Sequence, residues 1–148
     1  MELQPDHDGL ARAGAAAMWE ADTASRALGI ELVEVKAGYA SARMTVSGSM
    51  INGHEICHGG YVFLLADTAF AFACNTHGTV TVAAACDIVF VAPVRLGDEL
   101  VAEARERTRY GRNGVYDVTV RRRDGSVVAE FRGRSRTTGA GSTETEGR

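Results

Sequence analysis

One long segment of the chain, YVFLLADTAFAFACNTHG, is apolar on every side when it is arranged as an α-helix. The segment contains no proline and no internal glycine before Gly78. A helix that is apolar all round is buried in a protein rather than laid on its surface. The pattern therefore predicts a central buried helix over residues 59–76.

Two other patterns of apolar residues occur before and after this segment in the sequence. An alanine-rich stretch with apolar residues at helical spacing predicts an N-terminal helix over residues 9–28, which Gly29 ends. Elsewhere apolar and polar residues alternate, which is the pattern of half-buried strands. Strands are expected at residues 30–35, 39–46, 79–91, 99–110, 115–123 and 127–137.

Glycine-rich segments mark the connections between these elements. Asn113-Gly114 and Asp124-Gly125 are the strongest hairpin signals in the chain. The segment SGSMINGHEICHGG, residues 47–60, has four glycines and the composition of a loop. Strand, loop and helix signals thus alternate along the chain without an internal repeat.

The order of elements is a helix, two strands, one buried helix and four strands. An α+β fold satisfies this order if an antiparallel sheet of six strands wraps around the long central helix, with the N-terminal helix added. One face of the sheet then covers the helix, and alternate side chains face outward. A sheet of this size cannot cover every side of an apolar helix, so we expect a second subunit to cover the remainder.

Composition narrows the setting of the protein. The chain has 148 residues, of which 45% are hydrophobic and 24% charged, as in one ordinary globular domain. The first residues lack the features of a secretory signal, and no run approaches the ~20 apolar residues of a membrane span. Three cysteines without a CxxC pair favour a reduced, cytoplasmic setting over a disulfide framework.

Charge is distributed unevenly along the chain. The net charge is −3, which indicates no nucleic-acid partner. Residues 105–136, however, hold ten arginines and four acids, a charge of +6 that leaves −9 for the remainder. An exposed sheet face with alternate arginines explains most of them. The alternative for some is a site for a phosphate-bearing ligand.

Asp67 is the single charge in the predicted central helix. An ionised carboxylate without partners in apolar surroundings costs several kcal/mol or more, so it must be paired, hydrated or functional. A structural pairing with an arginine or a helix end is one explanation. The other is that Asp67 acts as a general base or as a nucleophile.

The segment Cys57-His58-Gly59-Gly60 lies where this helix starts. First-turn N–H groups have no partner within the helix and carry the positive end of its dipole. The Gly59 amide could therefore polarise a carbonyl group under attack, although a glycine-rich turn that only starts the helix explains the sequence equally well. We expect His58 to be a neutral hydrogen-bonding group at this helix end.

Geometry limits how these groups cooperate. Gly59 and Asp67 are eight positions apart, which is ~12 Å along a helix, so within one chain they cannot act on one carbonyl. Two antiparallel helices side by side would bring the Gly59 amide of one near Asp67 of the other. Asn52 could orient a water molecule or a carbonyl there, or it could simply form the turn before Gly53.

Residues 54–58 match the zinc-protease pattern H-E-x-x-H literally. That chemistry needs both histidines on one helical face. Asn52-Gly53 before the stretch and Gly59-Gly60 after it disfavour a continuous helix, and no third ligand follows at the required spacing. We therefore predict no metal at this position.

Three segments, NGHEICHGGYVFLLADTAF, CDIVFVAPVRLGDELVAEA and YDVTV, resemble the hotdog-fold acyl-CoA thioesterases, and the PaaI-type phenylacetyl-CoA thioesterase family in particular. The combination of the HGG start, the Asp eight positions later and the turn Pro93-x-x-x-Gly97-Asp98 is specific to that family. The similarity implies a hotdog thioesterase domain at residues 29–138. An N-terminal helical extension at 1–28 and a disordered tail at 139–148 would flank it.

The resemblance also implies roles for individual residues. Asp67 would act on the thioester from across a dimer interface, by activating water or by direct attack. The Gly59 amide would polarise the thioester carbonyl, and Asn52 and His58 would help to position carbonyl or water. We place a substrate-binding role on Gly60, Thr68, Arg109, Gly111, Arg112 and Asn113, of which the last four form a basic, glycine-rich turn for coenzyme A phosphates.

The resulting hypothesis is a cytoplasmic acyl-CoA thioesterase of phenylacetate catabolism, acting on aromatic acyl groups (phenylacetyl or hydroxyphenylacetyl) or on medium chains. Coenzyme A is part of the substrate, no further cofactor is expected, and the assembly is a dimer or a homotetramer. A non-catalytic acyl-CoA-binding domain and an enoyl thioester dehydratase or hydratase of the same fold are the alternatives. Release of free coenzyme A would identify a thioesterase, and hydration of an enoyl thioester would identify a hydratase or dehydratase.

Five aromatic residues could line the acyl pocket, with the core as the default for each: Tyr61, Phe63, Phe70, Phe72 and Phe90.

Overall fold

The computed structural model describes residues 5–141. Three helices, one short 3-10 turn and six strands make up this part of the chain. In order they are α1 (His7–Ala21), α2 (Thr23–Ala27), β1 (Glu31–Lys36), β2 (Tyr39–Thr45), the 3-10 turn Gly48–Met50, α3 (Gly59–Cys74), β3 (Thr79–Phe90), β4 (Glu99–Tyr110), β5 (Asn113–Arg122) and β6 (Val127–Gly141).

The six strands form one antiparallel sheet in the order β1-β2-β4-β5-β6-β3. Alternate residues of β5, including Tyr116, Val118 and Val120, are buried on the face that packs against α3. The α+β prediction of a six-stranded antiparallel sheet around a central helix is confirmed. Strand β3 is placed at the edge of the sheet, although it follows α3 directly in the sequence.

Helix α3 begins at Gly59, as predicted, and ends at Cys74, two residues before the predicted end. Asn75 ends it by turning its side chain back. Its amide group donates to the carbonyl oxygens of Ala71 and Thr81, and its side-chain oxygen accepts from the Thr81 amide at 2.9 Å. This clamp fixes the end of α3 to the start of β3.

The N-terminal helix is not continuous over residues 9–28, which corrects the prediction. Asp22 lies between α1 and α2 outside the helical conformation, and its side chain accepts a hydrogen bond from the Ser25 amide at 2.9 Å. An aspartate at this position competes with the helix for backbone donors and starts a new helix instead.

The two N-terminal helices cover one side of α3. Trp19 of α1 contacts Phe72 edge to face with ring centroids 5.9 Å apart, and the hydroxyls of Ser25 and Thr68 share a hydrogen bond of 2.9 Å. Part of the cover that the sequence assigned to a second subunit therefore comes from the same chain. A stripe at helical spacing remains incompletely buried: Gly60, Phe63, Leu64, Asp67 and Ala71.

The turn between β4 and β5 lies two residues earlier than Asn113-Gly114. Tyr110 pairs with Asn113, so Gly111 and Arg112 form the loop, and Gly111 takes the positive φ of 57° that glycine adopts without strain. Gly114 serves packing instead, because a Cβ there would lie 2.7 Å from the Ser135 hydroxyl. The Asp124-Gly125 turn is confirmed, with Gly125 at φ 91°.

Strand β6 continues to Gly141 and pairs there with Thr79. Residues 139–141 of the predicted disordered tail therefore belong to β6, and the rest of that prediction, residues 142–148, lies outside the described residues. Within residues 5–141, no helix combines the length and the apolar character that crossing a membrane requires.

Candidate active site

His58 caps the N-terminal end of α3. Its Nδ1 accepts a hydrogen bond of 2.9 Å from the Gly60 amide, so Nδ1 carries no proton and the ring is the neutral hydrogen-bonding group that the sequence predicted. The Gly60 amide is therefore already engaged, contrary to its predicted substrate-binding role. The Gly59 amide, in contrast, has no acceptor within residues 5–141 and points out of the first turn.

A cleft of about 390 Å³ opens at this helix end. Its lining is apolar except for Asn52 and the backbone of Gly59, and it includes Ile56, Cys57, Val62 and residues 90–94. The ring of Phe90 lies over Gly59, so close that a Cβ at Gly59 would be 2.8 Å from the ring. The free amide thus faces an apolar cleft, in which a hydrogen bond to a carbonyl oxygen is stronger than in water.

Asn52 forms the turn before Gly53 and also lines the cleft. Its side-chain oxygen accepts from the His54 amide at 2.9 Å and more weakly from the Ile56 amide, so it organises the turn. Its NH₂ group has no acceptor within the described residues and lies at the cleft. Asn52, His58 and Gly59 are therefore brought together.

The turn at residues 52–56 contains most of the H-E-x-x-H pattern. Glu55 adopts a left-handed backbone conformation with φ 64°, and α3 begins only at Gly59. The two histidines accordingly do not share a helical face. No group of three or more potential metal ligands comes together within the described residues.

Asp67 lies half-buried on the open stripe of α3, with no hydrogen-bond or ion-pair partner among the described residues. Burial raises the pKa of its carboxyl group above the usual value for aspartate. The Asp67 carboxylate also acts electrostatically on the thiols of Cys74 and Cys86. Burial first, and then the Asp67 charge, raise the pKa of both thiols, that of Cys74 to about 12. Neither thiol is thereby suited to act as a nucleophile.

Asp67 and the Gly59 amide lie at separate places in one chain. They are eight residues apart on one helix, which corresponds to ~12 Å. Asp67 does not line the cleft at Gly59. A single chain therefore does not bring the Asp67 carboxylate and the Gly59 amide together.

Thr68 is committed to the packing of the helices. Its hydroxyl donates to the Leu64 carbonyl at 2.8 Å and shares the hydrogen bond with Ser25, and the residue is 6% exposed. It has no free polar group to offer a substrate, so we do not include it among the substrate-binding residues.

The predicted basic turn, Arg109 to Asn113, lies at the other end of α3. Arg109 Nε is 3.3 Å from Glu106 Oε1, and Asn113, the first residue of β5, pairs with Tyr110 of β4 and Arg136 of β6. Together with residues of β3 and β6, Arg109, Gly111 and Asn113 line a small polar pocket of about 40 Å³. In one chain this turn is remote from the cleft at Gly59.

Seven of the ten arginines at residues 105–136 form ion pairs with carboxylates, for example Arg132 with Asp117 at 2.7 Å. Six of these seven side chains are exposed, as predicted, and Arg122 is partly buried. Arg112, Arg121 and Arg136 have no carboxylate partner within residues 5–141. Arg112 is thus the one arginine of the basic turn that is free to meet a phosphate.

Phe90 is the aromatic residue for which the default assignment to the core is wrong. It is 53% exposed and lines the cleft, whereas for Phe70 and Phe72 the default is confirmed. Its position at the end of β3, three residues before Pro93, was the available signal. The strand ends there, so its last side chain is left at the rim of the sheet.

Comparison with known proteins gives a consistent result. The sequence profile of the thioesterase superfamily matches residues 54–129. The acyl-coenzyme A thioesterase PaaI of Escherichia coli K12 is 47% identical over 119 residues, which cover 80% of this chain and 85% of that protein.

Solved structures agree with this match. The E. coli PaaI protein from the phenylacetic acid degradation operon superimposes with a TM-score of 0.89 at 44% identity, over 90% of this chain and 97% of that one. A Streptococcus mutans protein bound to acetyl-CoA gives a TM-score of 0.72 at 25% identity, over 75% of this chain and 90% of that one.

Proposed function

The chain belongs to the thioesterase superfamily, and from that membership we propose that it hydrolyses acyl-coenzyme A thioesters to the free acid and coenzyme A. We propose aromatic acyl groups such as phenylacetyl first and medium chains second. The similarity to a protein of the phenylacetic acid degradation operon supports that order. The free cysteines Cys57, Cys74 and Cys86 are compatible with a cytoplasmic setting.

The observation that carries the mechanism is the unpartnered Asp67 carboxylate on the open stripe of α3. A general base works best when its pKa lies close to the operating pH, and burial shifts the pKa of Asp67 in that direction. In the proposed step, Asp67 takes a proton from a water molecule whose oxygen attacks the thioester carbonyl carbon. The C–S bond then breaks, and the coenzyme A thiolate leaves and takes up the proton.

The Gly59 amide supplies the second element. The carbonyl oxygen gains negative charge as water attacks, and a fixed N–H donor in an apolar cleft stabilises that charge. The partial positive charge at the N-terminal end of α3 acts in the same direction. The free NH₂ group of Asn52 donates to the carbonyl or positions the water, while His58 holds the first turn in place through Gly60.

The site requires a second copy of the chain, because Gly59 and Asp67 are too far apart in one. Two features support a dimer. Strand β3 is a twelve-residue edge strand with exposed Val82, Val89 and Phe90, and edges of this kind pair with another chain unless they are protected. Beside it, the stripe of α3 that contains Asp67 lacks a complete cover.

A two-fold axis between two antiparallel α3 helices brings Asp67 of each chain toward Gly59 of the other. The same arrangement moves the C-terminal end of one helix, with Arg109 and Arg112, toward the cleft of the neighbouring chain. Those arginines are then near the phosphates of a coenzyme A bound there. No cofactor takes part in this scheme, and coenzyme A enters only as part of the substrate.

Thiol release from a panel of acyl-CoA substrates tests the function. The panel contains phenylacetyl-, hydroxyphenylacetyl-, hydroxybenzoyl- and straight-chain acyl-CoA, and the expected result is release of free coenzyme A from one or more of them. Binding of the esters without thiol release would instead indicate a non-catalytic domain. Hydration of an enoyl thioester without thiol release would indicate the dehydratase class. Either outcome contradicts the proposal.

A further inference from the structure

Phe90 stands out among the aromatic side chains because it has no place in the core. It is 53% exposed, and none of the aromatic ring contacts among the described residues involves it. Its ring lies against Gly59, the first residue of α3. The Cζ, Cε1 and Cε2 atoms of the ring lie 2.8 to 3.3 Å from the point where a Cβ on Gly59 would be.

This contact places the ring beside the atom that is proposed to hold the thioester carbonyl. A carbonyl oxygen bound to the Gly59 amide lies about 2.9 Å from that nitrogen. The first carbons of the acyl group then extend into the 390 Å³ cleft, of which Phe90 forms one wall. The other walls, Ile56, Val62 and Val94, are aliphatic.

We propose that Phe90 is the residue that selects arylacetyl groups over straight-chain acyl groups, by contact between its ring and the ring of the substrate. This inference rests on the proposed function. Two aromatic rings at 4.5 to 7 Å attract each other beyond the burial of their surface, and an aliphatic chain of similar size lacks that contribution. Among the described residues of one chain, Phe90 is the aromatic side chain that lines the cleft, so within the chain this contribution comes from Phe90.

The test compares two substrates on three proteins. We expect Phe90→Leu, which keeps most of the volume and removes the ring, to lower the ratio of kcat/KM for phenylacetyl-CoA to that for hexanoyl-CoA by about 2- to 10-fold. Val89→Ala is the matched control. Val89 precedes Phe90 on β3, is 61% exposed, and points to the opposite face of the sheet. In the Val89→Ala protein, the ratio of kcat/KM for the two substrates should stay at the wild-type value.

The substrate ratio distinguishes selection from a merely structural role. A fold disturbed by Phe90→Leu would lower kcat/KM for both substrates alike and leave their ratio unchanged. An unchanged ratio in Phe90→Leu, or an equal change in Val89→Ala, overturns the inference.

Equilibrium binding separates this inference from the proposed function. Kd for phenylacetyl-CoA and hexanoyl-CoA is measured on Asp67→Asn with and without Phe90→Leu, where turnover does not interfere. If the Kd values show a preference for phenylacetyl-CoA that Phe90→Leu abolishes, the role of Phe90 is upheld. This holds even if the wild type releases no thiol, a result that would refute the proposed hydrolysis but not the role of Phe90. Equal preference in both proteins refutes the role of Phe90 even if the wild type is an active thioesterase.

Discussion

The two ends of helix α3 differ in whether the polar groups beside them have hydrogen-bond partners within the described residues. At the N-terminal end, the Gly59 amide and the Asn52 NH₂ group lack partners among the described residues and face an apolar cleft. At the C-terminal end, Glu106 accepts hydrogen bonds from His77 at 2.8 Å and from the Tyr116 hydroxyl at 2.9 Å. The first end leaves these two donors available, whereas at the second end the Glu106 carboxylate is satisfied within the chain.

The titration of the two carboxylates reflects this difference. Burial raises the pKa of Asp67, and no hydrogen bond opposes the shift. Burial also acts on Glu106, but the hydrogen bonds from His77 and Tyr116 and the charges of His77 and Arg109 outweigh it and hold the pKa of that carboxyl below its usual value. Polar groups at the C-terminal end therefore stabilise the fold, while those near the N-terminal end and at Asp67 remain available for chemistry.

Replacing Asp67 tests this contrast most strongly. We expect Asp67→Asn to lower kcat for thiol release by about 100-fold or more, the contribution of a general base, while the protein stays folded. Removing a buried, unpaired charge should not lower the free energy of unfolding at neutral pH. Steady-state kinetics and circular dichroism check both points. An Asp67→Asn protein with wild-type kcat would contradict the mechanism.

Replacing Glu106 should have the converse effect. Glu106→Ala leaves the Tyr116 hydroxyl and the His77 ring without their partner, so we expect the free energy of unfolding to fall by about 1–3 kcal/mol. Urea denaturation at neutral pH measures it. Because the folded pKa of Glu106 is lowered, its stabilising effect is present above the unfolded pKa and should disappear as pH falls through the folded pKa.

The exposed Glu130→Ala is the control for this experiment and should change the free energy of unfolding by about 0.5 kcal/mol or less. A Glu106→Ala protein as stable as the Glu130→Ala protein would show that the network at the C-terminal end does not hold the fold together.

The pH profile probes Asp67 without a mutation. The ionised form is the base, and burial raises its pKa, so kcat should fall on the acid side of a pKa above the usual aspartate value, about tenfold per pH unit. The raised folded pKa also means that ionisation of Asp67 lowers stability as pH rises from the unfolded pKa through the folded pKa. A rate that stays constant down to the usual pKa of aspartate would disagree with this assignment.

Arg112 gives the smallest expected effect. As the unpaired arginine of the turn at the C-terminal end, it should contribute to phosphate binding, and we expect Arg112→Ala to raise KM about 2- to 5-fold at low salt with kcat unchanged. The difference in KM between the wild type and Arg112→Ala should shrink as ionic strength rises. Arg121→Ala, which removes an arginine of β5 that also lacks a carboxylate partner within residues 5–141, is the control. Equal KM values for both variants would exclude a specific role for this turn.

Local signals explain which elements could be predicted. The start of α3 at Gly59 and the strand from Glu99 to Tyr110 agree with the predicted positions, because hydrophobic periodicity reports directly which face of an element is buried. Asp67 was identifiable for the same reason, as one charge in an otherwise apolar pattern. The turn at Gly111 was misplaced, since the following Asn-Gly pair carries an equally good local signal.

Contacts that the local pattern does not reveal explain the remainder. Thr68 was predicted to bind substrate, yet its hydroxyl meets Ser25, 43 positions earlier in the chain. Gly60 was also predicted to bind substrate, but its amide donates to the nearby His58 ring. Phe90 could have been a core residue by its chemistry, and only the end of β3 at the edge of the sheet leaves it in the cleft.

The amino-acid sequence by itself determined the succession of elements, the buried character of α3, and the presence of a carboxylate on it, because each depends on neighbours a few residues away. The tertiary structure decided which hydroxyl and arginine groups stay free, because partners such as Ser25 for Thr68 and Asp117 for Arg132 lie on other segments that pack against them. That distinction is chemical as well as structural, since only the groups left free can meet a substrate.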